Sequence, residues 1–454
     1  KSETGAFGTA LMLGALYLLN PLIVLSGAGW GQSDGVMTLF LLLTVIFALE
    51  GKWRFALPAY LTAVLMKPQA LMFGPLGMLA LILSYVSAYR GAGAFMQKEA
   101  VGKAAEKPRG AAMLPLLKDT LIGLGLMAAV FGVMVIPFSV AKGGVGWLFE
   151  LYGKTMNSYS YATVNACNLY FLFGLNWAPA SDAVPGLLAC AMGALILFPA
   201  LALSLKKTID KKTRILCLCV MFAGALTGLT GALFSISFSA LSSLLIALTL
   251  ALVAANYILG GDIRHLPLNG ALLLVLLFNM GGMMHERYLF PAIILLLLSY
   301  ALEKDARILL LAAGLTASTL LNVGCVLSRN IRIGGSSGHL TAPAYGIESD
   351  MAALEYLSAA LNVLMCMLTL YVSLDLCRGN AVPYSPKAAS SRKDEGAERV
   401  SPSYLADEKA PLLPSRRMGF KDWLIVLATT VLYAGLAFWH LGSTKSPQTE
   451  YVFG

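Results

Sequence analysis

The stretch Trp30-Gly31-Gln32-Ser33-Asp34-Gly35-Val36-Met37-Thr38-Leu39-Phe40-Leu41-Leu42-Leu43-Thr44-Val45-Ile46-Phe47-Ala48-Leu49 decides how this chain is read. Its second part is an uncharged apolar run. Its first part is a polar knot ending in a carboxylate, and another apolar run, about Gly5 to Gly27, precedes it. Apolar runs of this kind mark helices that cross a bilayer. A carboxylate wedged between two of them is expensive to keep and points to a functional site.

The rest of the chain fits that reading. Only 13% of residues are charged and 58% are hydrophobic, with mean hydropathy +0.74; soluble domains carry about 25% charged residues. Leu and Ala dominate the runs, and the ~10-residue alternation of a membrane barrel is missing. In lipid the backbone must satisfy its own hydrogen bonds, so the runs are predicted to be helices. The fold class expected is an all-α polytopic transmembrane bundle. About thirteen apolar segments are read, near 5–27, 35–50, 55–66, 70–89, 117–139, 185–205, 214–233, 236–258, 268–284, 289–303, 307–327, 351–376 and 422–440. The third and fourth are split at Lys67-Pro68, where proline breaks the helix, and are read as half-helices or a hairpin.

Charge sets the threading. With Lys1 inside and the segments alternating, 26 of the 33 Lys and Arg fall on inner segments and 7 on outer ones, the asymmetry of a cytosolic face. The net charge of +9 is thereby assigned to cytosolic loops rather than to nucleic acid. Residues 91–116 read as a basic cytosolic loop. The domain expectation is a membrane core over 1–376 with an outer loop at 140–184, a disordered cytosolic linker at 377–421 rich in Ser, Pro and charge, a last span at 422–440, and an outer tail at 441–454. Position 1 is Lys, and the chain closes on a strand-like Thr449-Glu450-Tyr451-Val452-Phe453-Gly454, so both ends are expected to be cut. The cysteines show no disulfide or metal spacing. Cys190, Cys217, Cys219, Cys325 and Cys366 lie in apolar runs, and Cys167 is read as exposed on the outer side.

Three polar features fall on one side in this threading: Trp30 to Asp34, Lys67-Pro68-Gln69, and His285-Glu286-Arg287-Tyr288. Each has a plain alternative: a solvated loop for Asp34, a snorkelling lysine for Lys67, and a structural ion pair for Glu286 and Arg287. Together they suit a reaction chamber. Asp34 and Glu286 offer carboxylates for a hydroxyl or for a divalent metal. Lys67 and Arg287 offer positive charge for a phosphate, Arg287 with a planar fork that matches phosphate oxygens. His285 can donate to phosphate or titrate near neutral pH. Trp30 offers a flat face to a sugar ring, and Gln32 and Gln69 offer both donor and acceptor. In the outer loop, Tyr159-Ser160-Tyr161-Ala162-Thr163-Val164-Asn165-Ala166-Cys167-Asn168-Leu169-Tyr170 interleaves aromatics with amides. That pattern suits sugar stacking, or an aromatic belt at the headgroups.

These residues carry a resemblance. Trp30 to Asp34, Lys67-Pro68-Gln69, Tyr161 to Leu169 with Gly174 and Asn176-Trp177, and His285-Glu286-Arg287-Tyr288-Leu289-Phe290-Pro291 resemble bacterial members of the C-type (GT-C) glycosyltransferase superfamily. That group is similar to the dolichyl-phosphate-mannose mannosyltransferases and to the ER glucosyltransferases of asparagine-linked glycosylation. The resemblance covers about residues 5 to 300. It implies an enzyme of the bacterial plasma membrane that takes a sugar from a polyprenyl-phosphate donor, with its active site facing outside and a glycan, lipid or protein as acceptor. It implies catalytic roles for Asp34, His285 and Glu286 and donor-phosphate contacts from Lys67 and Arg287. Trp30, Gln32, Gln69, Tyr161, Asn165, Asn168 and Tyr288 would bind substrate. In the superfamily the first outer loop usually supplies a catalytic Asp, whereas the loop of Asp34 matches the second; a span, a loop and a second span are therefore expected upstream. The competing expectations are a secondary transporter or lipid-carrier flippase, which would place charges at broken helices, and a non-catalytic scaffold.

Overall fold

The computed structural model describes residues 3–90, 112–157, 159–207, 209–334 and 351–378, and the single positions 424, 427, 428 and 431. The expected linker beyond position 378, most of the expected last span, the tail and most of the basic loop lie outside the described residues.

The described residues are helical nearly throughout. The first apolar run is not one helix. It divides into α1 (Glu3–Leu18) and α2 (Pro21–Val24). Pro21 has no N–H to extend α1, and Asn20 caps the new start, accepting from the Leu22 N–H at 2.9 Å. A wide π-type turn, Leu25–Gly29, follows and delivers Trp30, whose N–H reaches back five residues to the Leu25 carbonyl at 2.9 Å. Then come α3 (Asp34–Leu49), α4 (Trp53–Met66), a 3-10 turn at Pro68–Phe73 and α5 (Gly74–Arg90). Next are α6 (Met113–Lys142), α7 (Gly146–Asn157), β1 (Thr163–Val164), α8 (Leu169–Leu172), α9 (Gly186–Ser204), α10 (Lys211–Leu233) and α11 (Phe238–Gly260). The described core closes with α12 (Leu266–Met280), β2 (Met284–His285), α13 (Phe290–Glu303), α14 (Ala306–Gly334) and α15 (Ala352–Leu376).

Eight helices are long and apolar enough to cross a membrane: Pro68–Tyr89, Met113–Lys142, Gly186–Ser204, Lys211–Leu233, Phe238–Gly260, Ile263–Met280, Ala306–Arg329 and Ala352–Leu376. The protein is an integral membrane protein of all-α class. Thirteen apolar segments are read from the sequence; eight helices of crossing length stand among the described residues, and most of 422–440 lies outside them. Asp34–Leu49 and Phe290–Glu303 are apolar but shorter, spanning about 24 and 21 Å at 1.5 Å per residue.

α12 is the centre of the bundle. Every residue from Leu266 to Met280 is buried, and it packs on α13, α11 and α15. α6 is the opposite case: apolar on all sides and largely uncovered, with Leu117, Leu121, Leu124, Val133 and Ile136 exposed, the pattern of a lipid-facing span. α10 exposes Ile215, Leu218, Phe222, Leu226, Leu229 and Leu233, one stripe at three- and four-residue spacing. Its other face meets α9 through Gly224, Gly228 and Gly231, where an added Cβ would strike or crowd the α9 backbone or Ala189. Small residues of this kind let membrane helices approach closely.

Charged groups gather at the two ends of the helices. At one end Arg54 pairs with Asp119, Arg264 with Asp262, and His265 with Glu303, while Asp375 is held by Arg307 at 2.6 Å and Lys206 at 2.9 Å. At the other end lie Asp34, Lys67, Glu286, Arg287 and the Arg329–Glu355 pair. α12 separates the two layers by about 22 Å at its 1.5 Å rise.

Candidate functional site

The site forms where the chain leaves helical geometry at one end of the bundle. Gly31 takes a left-handed φ of 72°, which turns the chain sharply after Trp30 and lets Asp34 open α3. α4 stops at Lys67 because Pro68 follows: the residue before a proline avoids helical angles, and Lys67 is extended at φ −157°, ψ 123°. Residues 281–289 link α12 to α13 without a helix. Their backbone is satisfied by the segment 159–185, with β1 and β2 paired in parallel at Thr163↔Met284 and Val164↔His285.

Asp34 is fully buried. Lys67 Nζ donates to its Oδ1 at 2.6 Å, and Arg287 Nε lies 3.6 Å from its Oδ2. Arg287 Nη1 donates to Glu286 Oε1 at 2.6 Å, and the guanidinium sits 5.6 Å from the Trp30 ring centroid, a cation–π contact. Gln69 Nε2 donates to the Tyr288 carbonyl at 3.3 Å. His285 Nδ1 is 3.9 Å from Glu286 Oε2; the His285 ring meets Tyr159 edge-on at 4.6 Å and Tyr288 at 5.1 Å. Thus Trp30, Asp34, Lys67, Gln69, His285, Glu286, Arg287 and Tyr288 form one contiguous cluster, joined across 33 residues at one contact and 219 at another.

Burial dominates the electrostatics. It pushes the Glu286 carboxyl above its ordinary range, against the pull of Arg287. It drives the His285 imidazole well below its ordinary value, helped by the charges of Arg287 and Lys67. The Lys67 ammonium is also lowered by burial, with Asp34 opposing, and the Tyr288 hydroxyl is raised by burial to about 12. His285 is therefore neutral near pH 7. Four buried polar atoms in the cluster have no hydrogen-bond partner among the described residues: the acceptors Asp34 Oδ2 and Gln69 Oε1, and the donors Trp30 Nε1 and Arg287 Nε. Buried polar groups are ordinarily satisfied, and these four stand together in one cluster.

Other expected residues are placed differently. Gln32 is half-buried; its N–H donates to the Ser26 carbonyl at 3.0 Å, and no hydrogen bond joins its side chain to the cluster among the described residues. Tyr161 stacks edge-on against Trp177 at 5.0 Å; it is Tyr159, two positions earlier on the same alternating segment, that meets His285. Asn165, at φ 56°, accepts from Trp177 Nε1 at 3.0 Å and Asn176 Nδ2 at 3.2 Å. Asn168 caps α8 by accepting from the Phe171 N–H at 3.2 Å and donates to the Phe278 carbonyl at 2.9 Å. The two amides hold the segment 159–185 in place. Cys167, expected to be exposed, is buried: its N–H donates to Asn322 Oδ1 at 2.9 Å and its carbonyl accepts from Asn362 Nδ2 at 2.8 Å. The exposed cysteines are Cys190 and Cys219, among the described residues.

The two site carboxylates are already engaged by cations, and among the described residues no group of three or more His, Cys, Asp or Glu side chains is disposed to hold a metal ion. The cluster does not fit the divalent metal that the sequence left open. Comparison with protein-family models, with curated proteins and with solved structures finds no match.

Proposed function

We propose that the chain is an integral-membrane glycosyltransferase that moves a sugar from a polyprenyl-phosphate donor to an acceptor at the outer face of the membrane, with the Asp34 cluster as its active site. The observation that carries this reading is a quartet of two buried carboxylates, Asp34 and Glu286, and two half-buried cations, Lys67 and Arg287, in which Asp34 Oδ2 and Arg287 Nε lie side by side without hydrogen bonds. Burial raises the Glu286 carboxyl above its ordinary range against the pull of Arg287, and Lys67 and Arg287 supply two cations for an anionic phosphate. The asymmetry of Lys and Arg in the sequence supports an outward-facing cluster.

The chemistry follows from these positions. An acceptor hydroxyl bonds to Asp34 Oδ2, which takes its proton as the oxygen attacks the anomeric carbon. The bond between that carbon and the donor's phosphate oxygen breaks, and its electron pair leaves on the phosphate. Lys67 and Arg287 hold the charge that develops there. His285 and the unbonded Gln69 Oε1 and Trp30 Nε1 would serve the sugar hydroxyls. The transporter reading expects broken helices near the bilayer midplane. The cluster lies at helix ends, and α12 runs unbroken through the centre, which favours the enzyme.

The test is sugar transfer by the full-length protein in lipid nanodiscs from polyprenyl-phosphate-linked sugars. Arg287→Ala should raise the barrier by about 2–4 kcal/mol, the usual loss of a charge-stabilising donor. Lys154→Ala, at an exposed position on the same side, should behave as wild type. Equal activities of the two variants at matched expression would remove Arg287 from the phosphate role.

A further inference from the structure

α7 is used neither by the crossing helices nor by the cluster, yet it touches the turn that carries Lys67. In an α-helix the Val64 carbonyl would accept from the N–H four residues on. That residue is Pro68, which has no N–H. The hydroxyl of Tyr152, on α7, donates to the Val64 carbonyl instead, at 2.7 Å. Tyr152 also packs against the small core of Met37, Ala63, Val64 and Ala70, between α3, which starts at Asp34, and α4, which ends beside Lys67.

The rest of α7 is built for a surface. Leu148 and Tyr152 form a half-buried strip against the protein. Phe149, 74% exposed, and Leu151, 48% exposed, flank that strip. Glu150 and Lys154 stand on the opposite arc and pair at 2.7 Å. Gly143 and Gly144, at φ 74° and 143°, turn the chain out of α6, and Trp147 secures the return: its Nε1 donates to Ser139 Oγ at 3.0 Å and its ring lies 5.9 Å from Phe138. Phe149 and Val145 are exposed, as are Val140, Phe138 and Ile136 on α6, the span of crossing length to which Trp147 ties this helix. An amphipathic helix tied to a lipid-facing span belongs in the headgroup layer.

We propose that α7 lies in the membrane surface, its apolar face in the headgroup–acyl boundary of the lipid bilayer, and that Tyr152 is the positioning residue through which this helix braces the Lys67 turn. The proposal does not rest on sugar transfer, and neither of its readouts involves it. In the first, the full chain with Cys190→Ala and Cys219→Ala carries a nitroxide at Phe149→Cys or at Lys154→Cys in nanodiscs. Position 149 should be relaxed more by oxygen than by an aqueous nickel chelate, and position 154 the reverse. Equal access of the chelate to both positions overturns the lipid seat. So does shielding of position 149 from both reagents, which would mean a protein partner or a second copy. In the second, pulse acetylation followed by mass spectrometry compares wild type with Tyr152→Phe. The Lys67 rate should change by about threefold or more, as loss of one neutral hydrogen bond allows, while that of Lys206 at the far end stays constant. An unchanged Lys67 rate, or an equal change at both lysines, overturns the brace.

Discussion

Replacing Lys67 with Met removes the ammonium 2.6 Å from Asp34 Oδ1 and leaves a fully buried carboxylate facing Arg287 alone, 3.6 Å away. Breaking a buried ion pair on one side costs about 3–5 kcal/mol, because a charge is left in low dielectric without its partner. The residual contact with Arg287 softens the loss, so Lys67→Met should sit near the lower end of that range. Arg287→Met should cost more than Lys67→Met, since it strips cation contacts from both Asp34 and Glu286. The double variant Asp34→Leu with Lys67→Met removes both charges, and replacing a buried pair by apolar groups is often nearly neutral. Its cost should fall at least about 2 kcal/mol short of the sum of the single costs, within the span of coupling energies for contacting residues. Equilibrium unfolding by SDS in mixed micelles, read by far-UV circular dichroism, measures the wild type, the single variants Asp34→Leu, Lys67→Met and Arg287→Met, and the double variant. Additive single costs, or a Lys67→Met variant within about 0.5 kcal/mol of wild type, the scatter of ordinary surface substitutions, would refute the claim that these charges form one buried unit.

Two further outcomes follow from the same geometry. The His285 imidazole is held well below its ordinary value by burial and by Arg287 and Lys67, so its contribution to stability is present above the unfolded value near pH 6.5 and is lost as pH falls toward the depressed folded value. The wild type should lose up to about 1.4 kcal/mol per pH unit from this group in that window; His285→Gln should lack that component, and identical slopes for the two proteins would contradict it. Asn322→Leu should destabilise the fold by about 2–6 kcal/mol, because it leaves the Cys167 N–H and the Asn165 carbonyl buried without partners at about 1–3 kcal/mol each; unfolding as above checks it, and a loss under about 1 kcal/mol would mean that water reaches both groups.

The crossing helices and the polar knots were legible in the sequence because both are contrasts of composition. A run such as Val36 to Leu49 reads as helix without any tertiary information, and a carboxylate beside it stands out. The Lys67-Pro68 break was legible because proline acts on its own neighbours. What could not be read depends on contacts across the chain. The run from Gly5 to Gly27 contains Pro21, but the break also needs Asn20 as a cap, with its amide anchored to Thr316 Oγ1 at 3.0 Å. Asn165 and Asn168 carry amides that suit a sugar as well as a backbone. Only the arrival of Trp177 and Asn176 at Asn165, and of Phe278 at Asn168, shows what these amides bond. Tyr159 and Tyr161 sit on one alternating segment, and the register of β1 against β2 decides which of them meets His285. Tyr152 gave no signal of its own; the missing N–H at Pro68, four residues past Val64, was the available clue.

The most direct measurement is the turnover of Asp34→Asn. The substitution keeps the size of the side chain and an acceptor for Lys67, and removes the charge that would take the acceptor's proton. The full-length protein and its Asp34→Asn variant, matched for expression and folding in nanodiscs, are assayed for sugar transfer from a polyprenyl-phosphate donor over a range of donor concentrations. The account predicts a fall in kcat of roughly 10²–10⁴, the range for a positioned acid or base, with KM for the donor little changed because Lys67 and Arg287 remain. Turnover within about twofold of wild type, far outside that range, would contradict the assignment of Asp34 as the base.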